Sequence, residues 1–338
     1  MWDALRQEEK DEEYFMSETL DIMQVISRLM KADNVLLLCH KNPDGDTIGS
    51  ASALCHALRA LGKTAAVLCA DPVPQRYGYM QVPLFDGAFV PAYLVAVDVA
   101  GIQLFGDAVH EYASRIDLCI DHHPSNSGYA DAMLLDGSAA ATAEIMYDLL
   151  CALGAEITPC IADCLYTGIA TDTGCFKFAN TTARTHSVAE KLICAGARVV
   201  DLNGVLFENK SRCRIEAERL ALGSLEYFLE NRCAMIHLTK EEIAKSGADG
   251  TDLEGITSIP RAIEGVQVGV TMRQQPTGSY KVSVRTVLGV NASDICARLG
   301  GGGHAQAAGC EILGSFDNAK SALLTEVEKV LSKAPETV

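Results

Sequence analysis

Asn34-Val-Leu-Leu-Leu-Cys39-His40-Lys-Asn-Pro-Asp44-Gly-Asp46-Thr-Ile-Gly-Ser50 passes from an apolar run through a polar turn into a helical pattern. The run at 34–39 is too short and too uniformly apolar for a surface helix, and it reads as a strand buried on both faces. Residues 47–61 follow as a helix, with Ile48, Leu54, Leu58 and Leu61 at near-helical spacing and Gly62 placed to end it. A buried strand feeding a helix is the unit of a parallel sheet wrapped by helices. In open sheets of that kind, ligands gather where the strands end. His40, Asp44 and Asp46 stand at that junction, the two carboxylates flanking a glycine in a turn. An Asp-Gly-Asp turn is also a common helix cap, so this stretch alone leaves capping and metal binding equally open.

Further buried strands are expected at 64–70, 93–97 and 117–120, with helices at 139–153, closed by Gly154, and at 159–171, opened by a proline. Two of these strands end as the first does. Val95-Ala-Val-Asp98 and Cys119-Ile-Asp121-His122-His123 each place an acid at the carboxyl edge, and Asp172 follows the helix that Pro159 opens. One aspartate at a strand end is usually a loop-starting residue, and one His-His pair is usually surface or core. Several in one sheet converge. His40, Asp44, Asp46, Asp98, His122 and Asp172 supply four carboxylates and two imidazoles, ligation enough for two metals. Oxygen-rich donors with some imidazole suit manganese, with zinc, iron and cobalt compatible by ligand type. No thiolate cluster lies near these residues in sequence, which argues against a structural zinc site.

Residues 182–228 are helical in propensity, and their polar stretch around 208–219 suits a connector. Beyond it, 233–238, 266–274 and 280–287 alternate like strands, the last two joined by a hairpin turn at 275–279. A helix at 292–299 runs into Gly300-Gly301-Gly302-Gly303-His304, and 318–332 reads as a final amphipathic helix. Alone, the glycine run reads as a flexible connector. The expected architecture is α/β. Residues 1–16 form an acidic extension, 17–195 a parallel-sheet catalytic domain wrapped by helices, 196–228 a helical connector and 229–338 a smaller α/β domain.

A chain of 338 residues exceeds what one core usually serves, and 49% hydrophobic with 21% charged residues is ordinary globular usage. A net charge of −16 excludes a long-duplex binder, which depends on many Lys and Arg contacts to phosphate. The 13 cysteines are odd in number and include no Cys-x-x-Cys pair, so all read as structural thiols in a reducing cytoplasm. No apolar stretch reaches the roughly 18 residues that a membrane span needs.

Taken in order, 40–50, Asp98, Asp121-His122-His123 and Thr171-Asp172-Thr-Gly174 resemble the four successive motifs of the DHH phosphoesterase family. The carboxyl-terminal region is similar to the DHH-associated domain of the nanoRNase and RecJ-like branches. That similarity rests on Ser258-Ile-Pro-Arg261, Val282-Ser-Val-Arg285 and Gly300 to His304 followed by Ala307-Ala-Gly309. The resemblance covers about 21–330. It implies that His40 and Asp44 hold one manganese ion, that Asp46, His122 and Asp172 hold a second, and that Asp98 bridges them. Asp98, Asp121 and His123 would be catalytic, with His123 beside the substrate phosphate. Arg261, Arg285, Gly301, Gly302, Gly303 and His304 would bind the substrate's remote phosphate or base. One departure is the serine-rich helix opening of the family, which here reads Asp136-Gly-Ser138-Ala-Ala-Ala-Thr142, with methyls in place of some hydroxyls.

The branch implied is that of bifunctional oligoribonucleases and 3′-phosphoadenosine 5′-phosphate phosphatases. Its substrates are short RNA or DNA oligonucleotides and small nucleotides, handled without membrane or long duplex, and a homodimer is compatible with it. Linear or cyclic di-adenylate is the alternative substrate. A nucleotide- or RNA-binding module without catalysis is the alternative class, disfavoured because every ligand position holds a competent residue.

Overall fold

The computed structural model describes residues 17–333; the acidic segment 1–16 lies outside them. Two compact units are present, dividing at Asn209–Lys210, inside the segment read as a connector. No helix among the described residues is long and apolar enough to cross a membrane.

The first unit holds strands β1 (Glu18–Thr19), β2 (Val35–Leu38), β3 (Ala65–Leu68), β4 (Tyr93–Val97), β5 (Leu118–Asp121) and β6 (Ala132–Leu135). Its helices are α1 (Ile22–Lys31), α2 (Gly45–Ala60), α3 (Asp107–His110), α4 (Thr142–Ala152), α5 (Pro159–Asp172), α6 (Ala183–Cys194) and α7 (Val199–Asn203). The strands form one sheet in the order β1-β6-β5-β4-β2-β3, parallel throughout. Alternate residues of each strand enter two cores. Val35, Leu37, Val95, Val97, Leu118 and Ile120 pack toward α1, α2, α4 and α5. Leu36, Leu38, Leu94, Ala96 and Cys119 pack with Phe105, Val109 and Ile116 on the opposite face. This explains why the strands read as unbroken apolar runs.

Strand β2 pairs with β3 on one side and β4 on the other, so the winding reverses there. The carboxyl ends of β2 and β4 therefore flank a crevice that neither crossover covers. His40 and Asp98 emerge on its two sides.

Helices α2 and α5 pack closer than ordinary side chains allow. A Cβ on Gly49 would overlap the carbonyl oxygen of Cys164, one on Gly45 would lie 2.5 Å from Thr171 Oγ1, and one on Gly168 would lie 2.5 Å from Asp46 Oδ1. These three glycines bring the start of α2 against the end of α5, antiparallel, with Asp46 and Asp172 side by side.

The second unit comprises α8 (Arg212–Gly223), β7 (Glu226–Phe228), β8 (Cys233–Leu238), α9 (Lys240–Ser246), α10 (Gly250–Glu254), β9 (Val268–Gln274), β10 (Tyr280–Thr286), α11 (Ala292–Ala297), β11 (Gly302–His304), β12 (Ala307–Ile312) and α12 (Phe316–Leu331). Its mixed sheet runs β11-β12-β10-β9-β8-β7, with only β8 and β9 parallel. Val268, Val270, Val282 and Val284 meet α11 and α12, while Ile236 and Leu238 meet Ala217 and Ala221 of α8.

Two expectations are corrected. Residues 226–228, read as helical, form a strand whose pairing to β8 overrides local propensity. The glycine run is not a connector, because Gly302 to His304 is an edge strand on β12.

Replacing Gly49 by alanine is expected to destabilise the first unit by about 1–3 kcal/mol through overpacking against a backbone that cannot yield. Urea unfolding followed by circular dichroism measures it; an unchanged midpoint contradicts the close approach.

Candidate functional site

Helix α2 is capped at its start by Asp44, whose Oδ1 accepts from the N–H groups of Asp46 (3.0 Å) and Thr47 (3.2 Å). The same turn fixes Asp46, which is fully buried. Its Oδ1 accepts from Ser50 Oγ at 3.1 Å and from Ala143 N–H at 2.9 Å, and its Oδ2 accepts from Thr142 N–H at 2.6 Å. The latter two donors are the first N–H groups of α4, which has no side-chain cap of its own. A buried carboxylate is thus stabilised by the positive end of a helix.

Asp98 follows β4 with a left-handed backbone, φ 61°. Aspartate adopts this conformation at modest cost, and here it turns the carboxylate into the crevice. Asp98 is 3% exposed and accepts from Thr142 Oγ1 at 2.9 Å. Its Oδ2 lies 3.9 Å from His40 Nε2, and its Oδ1 lies 3.7 Å from His122 Nε2 and 3.6 Å from His123 Nδ1.

The six residues expected as ligands fall into two adjoining groups. His40, Asp44 and Asp98 form one, and Asp46, His122 and Asp172 the other, the donor atoms within each lying within 4.8 Å of one another. His40 Nε2 is 3.6 Å from Asp44 Oδ1. The two groups meet through Asp98. Asp172 is the last residue of α5, not the first beyond it, and Asn180 holds its carbonyl at 3.1 Å.

Both imidazoles are set for ligation through Nε2. Nδ1 of His40 faces the carbonyl of Lys41 at 2.8 Å, and Nδ1 of His122 faces that of Ala139 at 3.1 Å. A carbonyl only accepts, so each Nδ1 carries a proton. His122 Nε2 is buried without a hydrogen bond, although Asp172 Oδ2 is only 3.2 Å away. Such misalignment suits two donors aimed at a common cation. The donor set and this orphaned nitrogen fit a divalent metal pair.

Asp121 does different work. Buried, it accepts from the N–H groups of His122 (2.8 Å) and His123 (3.3 Å), from His123 Nδ1 (2.7 Å) and from Asn126 Nδ2 (2.6 Å). It therefore orients His123, whose partly exposed ring leaves Nε2 for a ligand. Sequence reading gave no role to Asn126 or to Gly168, took Gly49 and Ser50 only as part of the 40–50 motif, saw Gly45 only as the turn between two carboxylates, and read Thr142 only as part of a helix start with lost hydroxyls. Its hydroxyl is the one that reaches Asp98.

Burial, together with the charges around it, governs the titration of the cluster. Burial, then the charges of Asp44 and Asp172, pushes Asp98 up to about 8. Burial, then Asp98 and Asp172, raises Asp46 well above the usual carboxylate range. Burial opposes the charged form of His40, but Asp44 outweighs it and raises His40 to about 9. Burial likewise opposes charge on His122, and Asp172, Asp46 and Asp98 overcome it, giving about 10. Asp44 and Asp121 are lowered despite burial, by His40 and by His123 with Asn126 respectively.

In the second unit, Gly269 of β9, Arg285 of β10, Ala307 of β12 and His304 of β11 lie in register across four neighbouring strands. Partners in register share a face, so Arg285 and His304 stand on one side with a small alanine between them. A Cβ on Gly269 would overlap the backbone of Arg261, which brings Arg261 to the same row. Gly301 and Gly303 are pressed against β12, while Gly302 is open on its Cβ side.

A chelator-treated protein is expected to lose stability as pH rises from about 4 to about 9. Asp98 is raised from 3.8 to about 8 and His40 from 6.5 to about 9, so across those windows the folded chain binds more protons than the unfolded one. Urea melts at graded pH, with and without manganese, test this. Stability that rises with pH in the chelated protein contradicts the crowding.

The model of the DHH family N-terminal domain matches residues 34–169, and that of the DHHA1 domain matches 234–333. The bifunctional oligoribonuclease and PAP phosphatase NrnA of Thermus thermophilus is 34% identical over 92% of this chain and 95% of its own. The protein of the same name from Bacillus subtilis is 25% identical over 88% of this chain and 94% of its own. Among solved structures, an exopolyphosphatase-related protein from Bacteroides fragilis superposes with a TM-score of 0.81 at 25% identity, over 91% of this chain and 95% of its own. With DHH motifs converging on one crevice and both domain models matched in order, the chain belongs to the DHH family, in its DHHA1-containing, NrnA-like branch.

Proposed function

We propose that this chain is a metal-dependent phosphoesterase. It hydrolyses short oligoribonucleotides to nucleoside monophosphates and removes the 3′-phosphate of 3′-phosphoadenosine 5′-phosphate. The observation that carries this reading is the pair of adjoining donor groups, His40/Asp44/Asp98 and Asp46/His122/Asp172, linked by the 3.7 Å approach of His122 Nε2 to Asp98 Oδ1, with His122 Nε2 buried and making no hydrogen bond. The NrnA names of full-length relatives support the substrate class.

His40, Asp44 and Asp98 would hold one ion, and Asp46, His122 and Asp172 the other, with manganese the metal best suited to the donor set. When bound, such a pair supplies an activated water and positive charge for in-line displacement at phosphorus. The remaining work falls to the chain. Thr142 Oγ–H and the N–H groups opening α4 keep Asp98 and Asp46 in place. His123, braced by Asp121, presents its Nε2 edge to the substrate phosphate. Arg285 offers a planar fork to the substrate's remote phosphate, with Arg261, Gly301, Gly302, Gly303 and His304 completing that contact. The net charge of −16 restricts binding to substrates short enough to be held locally. Thirteen free cysteines suit a cytoplasmic setting.

Hydrolysis of a dinucleotide, a five-nucleotide RNA, 3′-phosphoadenosine 5′-phosphate and cyclic di-AMP, each with and without manganese, tests the proposal. Dinucleotide and 3′-phosphoadenosine 5′-phosphate are expected to turn over only with metal. Asp98→Ala should abolish turnover with the fold retained, and Arg285→Ala should raise KM about tenfold or more while leaving kcat within a few-fold. Dominant turnover of cyclic di-AMP transfers the assignment to di-adenylates. Binding without any turnover makes the chain a nucleotide-binding module.

A further inference from the structure

Helices α2 and α5 deliver carboxylates to the crevice at one end, Asp46 from the start of α2 and Asp172 from the end of α5. Ten residues along α2, roughly 15 Å away by helical rise, the same two helices bring together a second group of donors. His56 projects from α2, and Cys160 and Cys164, four residues apart, project from the first turns of α5. His56 Nε2 and Cys160 Sγ are 3.7 Å apart, and all three donor atoms lie within 4.8 Å of one another. A fourth polar atom sits among them. The carbonyl oxygen of Met80 is 3.0 Å from His56 Nε2, 3.8 Å from Cys160 Sγ and 4.0 Å from Cys164 Sγ.

These separations resemble the edges of a coordination polyhedron. A tetrahedron with Zn–S of about 2.3 Å and Zn–N of about 2.0–2.1 Å has nitrogen–sulfur edges of about 3.5 Å and sulfur–sulfur edges of about 3.8 Å. A disulfide fits the cluster less well. It needs Cβ atoms about 3.5–4.5 Å apart, whereas residues four apart on a helix hold theirs at about 5–6 Å.

We propose that His56, Cys160 and Cys164 form a metal site for a thiophilic divalent cation of the zinc class, with the Met80 carbonyl as fourth donor. The site is independent of the carboxylate cluster and joins α2, α5 and the 3-10 turn that ends at Met80. The two thiols differ: hydrogen bonds from Cys164 and from His56 hold Cys160 down at about 5, whereas the same contact with Cys160, and burial, raise Cys164 well above the usual thiol range, so a bound cation would meet one favoured thiolate and displace the proton of the other thiol. The half-buried positions of His56 and Cys160 leave the group accessible from solvent, while Cys164 closes it from within.

Cobalt(II) distinguishes this site from the crevice, because the six crevice donors include no sulfur and only a thiolate gives a near-ultraviolet sulfur-to-cobalt charge-transfer band. The full chain, stripped with a chelator and reloaded with manganese, is titrated with cobalt under reducing conditions. The native chain should develop the band and lose it on addition of zinc. Cys160→Ser/Cys164→Ser should abolish it, and His56→Ala should weaken cobalt binding roughly tenfold or more through loss of one of three protein side-chain donors. Asp98→Ala should retain it. Absence of the band in the native chain overturns the proposal, with no variant needed. So does its persistence in the double variant, which would place the thiolate elsewhere. If the double variant does not fold, the half-buried Cys160→Ser alone decides: a band of unchanged intensity refutes the site.

Discussion

Asp46 is the group on which the first unit is assembled. A carboxylate with no exposure is costly unless hydrogen bonds replace water, and here the replacements come from different helices. Ser50 lies one turn along α2, Thr142 and Ala143 open α4, and Gly168 of α5 lacks the Cβ that would strike Oδ1. Three helices are therefore registered on one oxygen pair. Displacing any of them leaves both a helix end and a buried anion unsatisfied, so the geometry of the candidate site and folding share the same contacts.

The sheet contributes the other half of the constraint. Parallel strands deliver every carboxyl end to one edge, which is why residues as distant as His40, Asp98 and His122 meet. Burial at that edge, and then repulsion among the four carboxylates gathered there, raises Asp98 and Asp46 and favours their protonated forms. Divalent cations held there would relieve the same repulsion. Metal affinity and stability toward high pH are thus two expressions of one crowding. The left-handed backbone at Asp98 belongs to the same arrangement, a local strain held in place by β4 and by Thr142.

Much of this was readable from the chain because the strands announce themselves as apolar runs ending in acids, and the edge they share follows from parallel winding. The connection of Asp121 to His123 was readable only as proximity. What the sequence could not display was close approach. Gly49 and Gly168 look like ordinary helix glycines until α2 and α5 are laid against each other, and Thr142 looks like the remnant of a hydroxyl-rich start until its partner Asp98 arrives from 44 residues away. The glycine run at 300–303, taken by itself, shows the same limit. Local composition allows a connector, but pairing to β12 makes it an edge strand whose glycines answer packing at 301 and 303. Tertiary contact decides such cases, and it has no local signature.

The same helix pair carries two donor sets of opposite chemical character. At the crevice end the donors are carboxylates with imidazole, hard enough to suit manganese and wet enough for hydrolysis. At the far end they are two sulfurs and an imidazole, soft donors that prefer zinc-class ions. Irving–Williams ordering makes zinc bind most sites more tightly than manganese, so if the crevice works with manganese, as proposed, separating the two metals by ligand type would be an advantage. A thiolate site on α2 and α5 would capture the thiophilic ion where it braces the helices and leave the oxygen-rich cluster to the metal that suits it. The glycine-mediated contact between those helices then serves both ends, since the approach that seats Gly49 on the Cys164 carbonyl also sets how far His56 stands from Cys160.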